Sequence, residues 1–479
     1  MKSRVESPGL TARRISSRSA VILLLVVIWA QPLSANEPTP SLDEMWGVIQ
    51  NQQAEIETLK RQNAQLLEKL ANPASHSPEA SVAATSPDTP SEASFNPGPV
   101  DTEDQSTRMS IYGAAMLDTG YQSGQNDPDW FDVVRPTKLP AYANEYGVDG
   151  KYFSGVRQSR LGFQSWTPTD LGELHTIFEF ELFGTGDDAG QTTFRLRHAW
   201  GEIGQLGAGQ TWSPFMDPDV FPNSIEYWGP NAMVFFRNVQ LRWTPWQDGN
   251  SNFMLALEKP GASGDRGKYA DRIELDGVKA NFPLPDLSAH YRLSRDWGHV
   301  QLAGIVRRIE WDDLQVDQYD FSGKETGWGL NLSSNLKLGQ HVARMSLVYG
   351  EGVQNYMNDA PVDIGIRENF SDPMRPIEGT ALPLFGLVAF LDLNWSETWT
   401  STVGYSMLDI DNSSGQSPDA FSKGQYALAN ILYHPTGNLF LGPEIQWAKR
   451  DNYQDGFSSD DLRVQFSVKY SFNKNFGGK

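Results

Sequence analysis

The chain contains no cysteine. That excludes a disulfide framework and any thiolate metal centre, and it fits a bacterial envelope protein. Positive charge is also short: 39 Lys and Arg stand against 59 Asp and Glu, for a net charge of −20. Such a balance argues against nucleic acid as a main partner. Long apolar runs are nearly absent. Outside Ala20–Ala30 (AVILLLVVIWA) nothing approaches the roughly 18 apolar residues of a spanning helix. A chain of this kind that crosses a membrane must do so as a closed barrel. Histidine is sparse and scattered, at positions 76, 175, 198, 290, 299, 341 and 434. His175, His290 and His299 lie too far apart in sequence to read as a metal site. His198 falls on the outward phase of its strand, with no serine constellation beside it. Neither an enzyme nor a bound metal or cofactor is therefore expected.

What is plentiful is aromatic: 11% of residues, with 15 Trp, in a chain whose mean hydropathy is −0.45. Many aromatics in a polar chain suit a transmembrane β-barrel, whose lumen and loops are polar. Residues 1–35 read as a secretory signal peptide. Lys2, Arg4, Arg13, Arg14 and Arg18 precede the apolar run, and Leu33-Ser34-Ala35 offers a cleavage position before Asn36. Residues 36–70 follow as a periplasmic coiled-coil helix. Its seam runs through Leu42, Met45, Ile49, Gln52, Ile56, Leu59, Asn63, Leu66 and Leu70, the a and d positions of a self-associating helix. Gln52 and Asn63 are polar seam positions that can fix register and strand number. Residues 71–107 hold six acids, no Lys or Arg and few large apolar residues. Such a segment reads as a flexible Pro/Ser/Ala linker.

From Arg108 onward, segments of about ten alternating residues recur to the C-terminus. The expected fold is all-β: a transmembrane barrel of about sixteen antiparallel strands spanning 108–479, joined to the N-terminal helical coiled coil. The strand-like stretch 270–282 is assigned to the loop after Lys259, which keeps the count even. Connections then alternate between short turns and long loops, the latter at 122–155, 213–233, 260–285, 352–382 and 411–423. The last strand alternates most cleanly, with Leu462, Val464, Phe466, Val468, Tyr470 and Phe472 on one face. Trp166, Trp200, Trp243, Trp395, Trp399, Tyr470 and Phe472 are expected in the interfacial girdles.

Alternation assigns the lumen. Arg160, Arg195, Arg197, Arg242, Arg292, Arg344 and Arg463 fall on the inward phase, and Arg307 joins them. Glu179 and Glu181 are also inward. An Arg on the lipid face near the bilayer centre costs about 2–4 kcal/mol, which favours the inward choice. The surplus of arginine over inward acid implies a basic lumen that attracts anions, and bidentate Arg pairing favours carboxylates. The remaining acids are expected in the linker and the outer loops, at Asp127, Asp129, Asp132, Asp359, Asp363 and Asp372. Loop 213–233 is read as folding into the barrel and narrowing it. Asp217, Asp219, Glu226, Tyr227 and Trp228 would form an acidic, aromatic lip opposite the arginines.

The chain resembles the DcaP-type trimeric outer-membrane porins. The motifs that carry the likeness are IYGAAMLDTGY (111–121), SRLGF (159–163), GQTWSPFMDPDVFPNSIEYWGP (209–230), FFRNVQLRW (235–243) and DWGHVQLAG (296–304). The resemblance implies a homotrimer of sixteen-stranded barrels in the outer membrane, in contact with its lipid and lipopolysaccharide, with periplasmic helices bundled together. It also implies uptake of small anionic solutes, including dicarboxylates and aromatic acids. One departure is the tail: Phe472 is followed by NKNFGGK, whereas such barrels commonly end on an aromatic residue. A trimeric tether or adhesin with a closed barrel is the rival reading, since it too would use the coiled coil and the acidic linker.

Overall fold

The computed structural model describes residues 107–477. The expected signal peptide, the expected coiled-coil seam (Ile49, Gln52, Ile56, Leu59, Asn63, Leu66, Leu70) and almost all of the expected linker lie outside the described residues.

The main sheet contains eighteen strands. Sixteen of them form the barrel: β1 Arg108–Gln122, β2 Arg160–Thr169, β3 Gly172–Phe183, β4 Thr192–Ile203, β5 Leu206–Trp212, β6 Arg237–Gln247, β7 Ser251–Glu258, β8 Asp286–Arg295, β9 Gly298–Asp313, β10 Gly323–Leu338, β11 His341–Glu351, β12 Pro383–Asn394, β13 Trp399–Ile410, β14 Phe421–Thr436, β15 Leu439–Asn452 and β16 Ser458–Phe476. Each pairs antiparallel with the next, and β1 closes on β16 from Met109↔Phe476 to Gln122↔Arg463. Of the two remaining strands, Lys151–Gly155 pairs the outer half of β1 and continues the line of β2. Val278–Asn281 pairs only the outer end of β9, at Glu310–Asp313. The stretch 270–282 therefore belongs to the outer loops, as the even count requires.

Closure fixes the faces. A strand presents alternate side chains to lipid and lumen, and a closed sheet leaves no edge for bilayer hydrocarbon to strand. On β16, Leu462, Val464 and Phe466 are exposed outward, while Arg463, Gln465 and Ser467 are buried inward. Trp243, Trp395, Trp399, Tyr470 and Phe472 are exposed on the outer surface, as girdle residues should be. Trp200 is not among them. A bulge in β4, where the pairing steps from Glu179↔His198 to Phe180↔Leu196, inserts one residue at Arg197. The extra residue reverses the phase of the strand below it. Both His198 and Trp200 consequently turn inward and are buried, against the outward assignment that strict alternation gives. His198 Nδ1 lies 2.9 Å from Thr211 Oγ1, and Trp200 packs 4.7 Å from the Arg242 guanidinium.

The hydrophobic core lies inside the barrel. Loop residues Val134, Leu139, Phe215, Met216, Met233 and Tyr356 pack against wall residues Ile305, Val348, Leu384 and Leu408. Three outer loops thus converge in the lumen: 123–159, 213–236 and 352–382. The inward fold of the first is not expected from its acidic, proline-bearing sequence.

Candidate pore constriction

Loop 213–236 crosses from β5 to the far wall. Pro214, Pro218, Pro222 and Pro230 restrict its backbone and remove donors that a sheet would otherwise satisfy. Wall side chains take over the loop's remaining polar groups. Asn331 Nδ2 donates to Phe215 O at 3.0 Å, and Gln301 Nε2 to Met216 O at 3.0 Å. The Ile225 and Glu226 amides donate to the Glu444 carboxylate at 2.9 and 3.2 Å. The Ala232 amide reaches Ser406 Oγ at 3.0 Å. A segment buried this way needs each such partner, because an orphaned buried polar group costs about 1–3 kcal/mol.

The loop acids serve as anchors. Asp217 is fully buried and accepts hydrogen bonds from His299 Nε2 at 2.7 Å and Ser333 Oγ at 2.6 Å, with Arg292 Nη1 at 3.3 Å. Burial pushes its carboxyl up, but these donors outweigh that and hold it below the usual range. Asp219 remains half-exposed, pairs with Arg292 and offers its carbonyl to Asn335 and Arg344. Asp217, Asp219 and His299 place their donor atoms within 4.8 Å of one another. The Arg292 guanidinium already pairs with both carboxylates there. Glu226 is buried against the first loop and accepts from the Val134 amide at 3.0 Å. Burial pushes its carboxyl up to about 7, against the pull of the Gly229 amide and the Arg463 charge.

Beside the loop, β2, β3, β4 and β6 bring charges together. Glu179 and Glu181 project inward from β3 at consecutive lumen positions. Arg197 bridges them, with Nε 2.5 Å from Glu179 Oε1 and Nη1 2.6 Å from Glu181 Oε2. Arg195 Nε donates to Glu181 Oε1 at 2.8 Å. Arg160 stands 3.4 Å from Glu179 and 3.7 Å from Glu181, and Arg237 Nη2 is 3.7 Å from Glu181. Four arginines therefore share two glutamates, which leaves a formal charge of +2. Tyr227 of the loop closes the group: its hydroxyl donates to Glu181, accepts from Arg195, and its ring stacks 4.1 Å from Phe183. Trp228 Nε1 donates to Asn358 O at 2.7 Å, and Arg135 lies 4.2 Å from both the Trp130 and Trp228 rings.

The remaining arginines on the inward phase differ in access. Arg242 and Arg344 are partly open, the latter paired with Asp392. Arg307 is covered, bound to Asp286 and Asp363 at 2.9 Å each. Arg463 is completely buried, 3.7 Å from the Phe153 ring. Asp132, Asp359 and Asp363 are likewise buried clamps, holding Arg157, Arg135 and Arg307, rather than free outer-loop charge. Arg237 escapes the alternation argument, since Val239, Leu241 and Trp243 place it on the outward phase. It turns in at the strand's first residue and sits 4.8 Å from the Trp212 ring. The signal available in the sequence was its position at the root of an inward loop.

Two cavities flank the cluster. One, of about 430 Å³, is lined by Arg135, Arg195, Arg237, Tyr227, Trp228 and Phe235. The other, of about 400 Å³, is lined by Tyr112, Gln158, Arg160, Gln164 and Lys469.

A closed sixteen-stranded barrel with short turns at one end, an apolar outer belt, aromatic girdles and an inward loop defines an outer-membrane channel of the porin class. The chain matches the DcaP outer membrane protein family over residues 93–472, and it belongs to that family. Among solved structures it is similar to the outer membrane channel DcaP of Acinetobacter baumannii. That match has 21% identity and a TM-score of 0.63, and covers 76% of this chain and 97% of the other. More distant are an anion-selective porin from Comamonas acidovorans and OmpT, an outer membrane protein of Vibrio cholerae. The first has 11% identity, a TM-score of 0.49 and coverage of 76% and 100%. The second has 10% identity, a TM-score of 0.47 and coverage of 78% and 99%. No curated protein matches the chain.

Proposed function

We propose that this barrel passes small organic anions, carboxylates foremost, by diffusion across the outer membrane. The observation that carries this reading is the four-to-two ratio of arginine to glutamate beside Tyr227. Two glutamates hold the guanidinium groups in place without cancelling them. The net charge lies between two cavities, so an anion meets attraction from either side. The guanidinium fork matches a carboxylate, and Tyr227 and Trp228 offer ring faces to an aromatic acid. Arg160 and Lys469 continue the positive charge into the second cavity. In this reading the working protein is a homotrimer. Residues 1–35 are its cleaved address, 36–70 its periplasmic coiled coil and 71–107 a spacer.

A closed-barrel tether keeps one observation on its side, the dense packing of three loops in the lumen. Proteoliposome swelling separates the two. With purified full-length protein, succinate and benzoate should enter faster than size-matched cationic amines. Equal exclusion of all of them supports the tether, and faster entry of the amines contradicts anion selection.

A further inference from the structure

At the outer rim, the long loops after β7, β9 and β11 meet. Ile364–Glu368 and Ile377–Ala381 pair as a hairpin within the last of these, and Val278–Asn281 lies along the outer end of β9. Leu275, Ile366 and Ile377 form one small apolar cluster, and Ile309, Ile364 and Ala381 form another. Residues of both clusters line a cavity of about 250 Å³. The charged groups around it are already engaged. Arg266 pairs with Asp276 at 2.9 Å, Glu310 with Arg308 at 2.5 Å and Glu378 with Arg367 at 2.7 Å. Asp265 accepts from the Gly267 amide at 2.7 Å. What remains is an apolar chamber that offers water few partners. An apolar cavity of roughly 150 Å³ holds a benzene ring, so this one has room for a ring with a short chain.

Trp311 of β9 borders this chamber. Its Nε1 donates to Phe321 O at 2.8 Å, and its ring lies against Gly379, where a Cβ would come within 2.3 Å. Trp311, Phe321, Ile377 and Gly379 also line a second cavity of about 460 Å³, so the two spaces adjoin. Glu325 on β10 lines that second space. It is partly buried, and among the described residues it has neither a hydrogen-bond nor an ion-pair partner. The cations whose charge reaches it, Arg367 and Arg308, are taken by Glu378 and Glu310. Glu351 and Glu378 add like charge. Arg375 is taken by Asp320. Lys324 falls on the opposite phase of β10 and is exposed. The second cavity therefore presents a carboxylate that lacks a cation, together with an indole ring. An ammonium suits both, because an aromatic face also attracts cations.

We propose that the outer loops bind an amphipathic amine, with its ring in the apolar chamber and its ammonium at Glu325 beside Trp311. A ring compound of the same shape with a carboxylate meets Glu325, Glu351 and Glu378 and is repelled. A small amine without a ring has too little apolar area to bury. The site has the opposite charge preference to the arginine cluster and stands whether or not the channel selects anions.

The test is calorimetric titration of phenethylamine into the full-length protein in detergent, against a protein-free micelle blank, with phenylpropionate and ethylamine for comparison. Glu325→Gln removes the charge and keeps the shape. Ala280→Trp fills the chamber from an exposed position, since Ala280 lines it and pairs with Trp311. Heat-modifiable migration verifies that each variant is folded. The wild type should take up phenethylamine saturably, one per chain. Glu325→Gln should weaken that binding about tenfold. Ala280→Trp should abolish it, and ethylamine should not bind. Absence of saturable phenethylamine binding to the wild type overturns the proposal, as does binding that both variants leave unchanged. Phenylpropionate binding of equal strength, lost equally in Ala280→Trp, gives the chamber to rings of either charge and overturns the choice of an amine. Should Ala280→Trp not fold, Glu325→Gln decides alone, and an unchanged affinity there refutes the site.

Discussion

Replacing Arg195 by Gln should weaken anion preference by a predictable amount. Arg195 is the more open of the two β4 arginines, its side chain 21% exposed, and it shares Glu181 with Arg197. The substitution takes the cluster from +2 to +1 and still leaves Glu181 paired. A unit charge about 6 Å from a permeating ion contributes roughly 0.7 kcal/mol in water. Screening at 0.1 M salt, with a Debye length of about 10 Å, brings this to roughly 0.4 kcal/mol. That is about a twofold loss of anion occupancy and about a twofold gain for cations. The anion-to-cation permeability ratio should fall roughly fourfold. The assay is the zero-current potential across a KCl gradient in planar bilayers, with Arg272→Gln, on an exposed outer loop, as the control. An unchanged ratio in a folded, conducting Arg195→Gln channel would refute the basic constriction.

Three further outcomes follow from the loop anchors and the wall. Asp217→Ala leaves His299 and Arg292 without their buried carboxylate, a loss of about 3–5 kcal/mol by analogy with broken buried pairs; liposome swelling should then admit larger neutral sugars, and an unchanged size cut-off would show that Asp217 does not hold the loop. Glu226 titrates near 7 in the fold against about 4.5 when exposed. The folded protein keeps a proton across that window which the unfolded chain has released, so stability falls as pH rises from about 4.5 to 7 and then levels. The full change is at most about 3 kcal/mol, and Glu226→Gln should flatten the urea-unfolding midpoint over that range. Gly209 has φ +120°, and a Cβ there would lie 2.1 Å from Ala199 O; Gly209→Ala should break the short β4–β5 ladder and abolish the heat-modifiable folded form on gels.

The strands were largely legible in the sequence because alternation is a direct consequence of a wall with lipid on one side and water on the other. Leu462 to Phe472 shows this most clearly, and the even count followed from the alternation of short turns with long loops. Alternation failed where the backbone broke period. The extra residue at Arg197 reversed His198 and Trp200, and nothing in FRLRHAW marks it. Arg237 was left out of the lumen set for a related reason, since a strand's first residue can turn with the loop that feeds it. The inward fold of loop 123–159 was hidden because Val133, Val134 and Leu139 carry no periodic signal in a loop. Pairing was the least visible part of the site. Which acid clamps and which acid meets solute depends on distances across the lumen, as the contrast between buried Asp217 and half-exposed Asp219 shows.

The most direct test of anion selection is the zero-current potential of the wild-type channel in a KCl gradient at neutral pH. A potential of the sign set by chloride, shrinking toward zero as salt screens the arginines, is the expected result. A potential of the sign set by potassium, or a reconstituted barrel that passes no current, would contradict it.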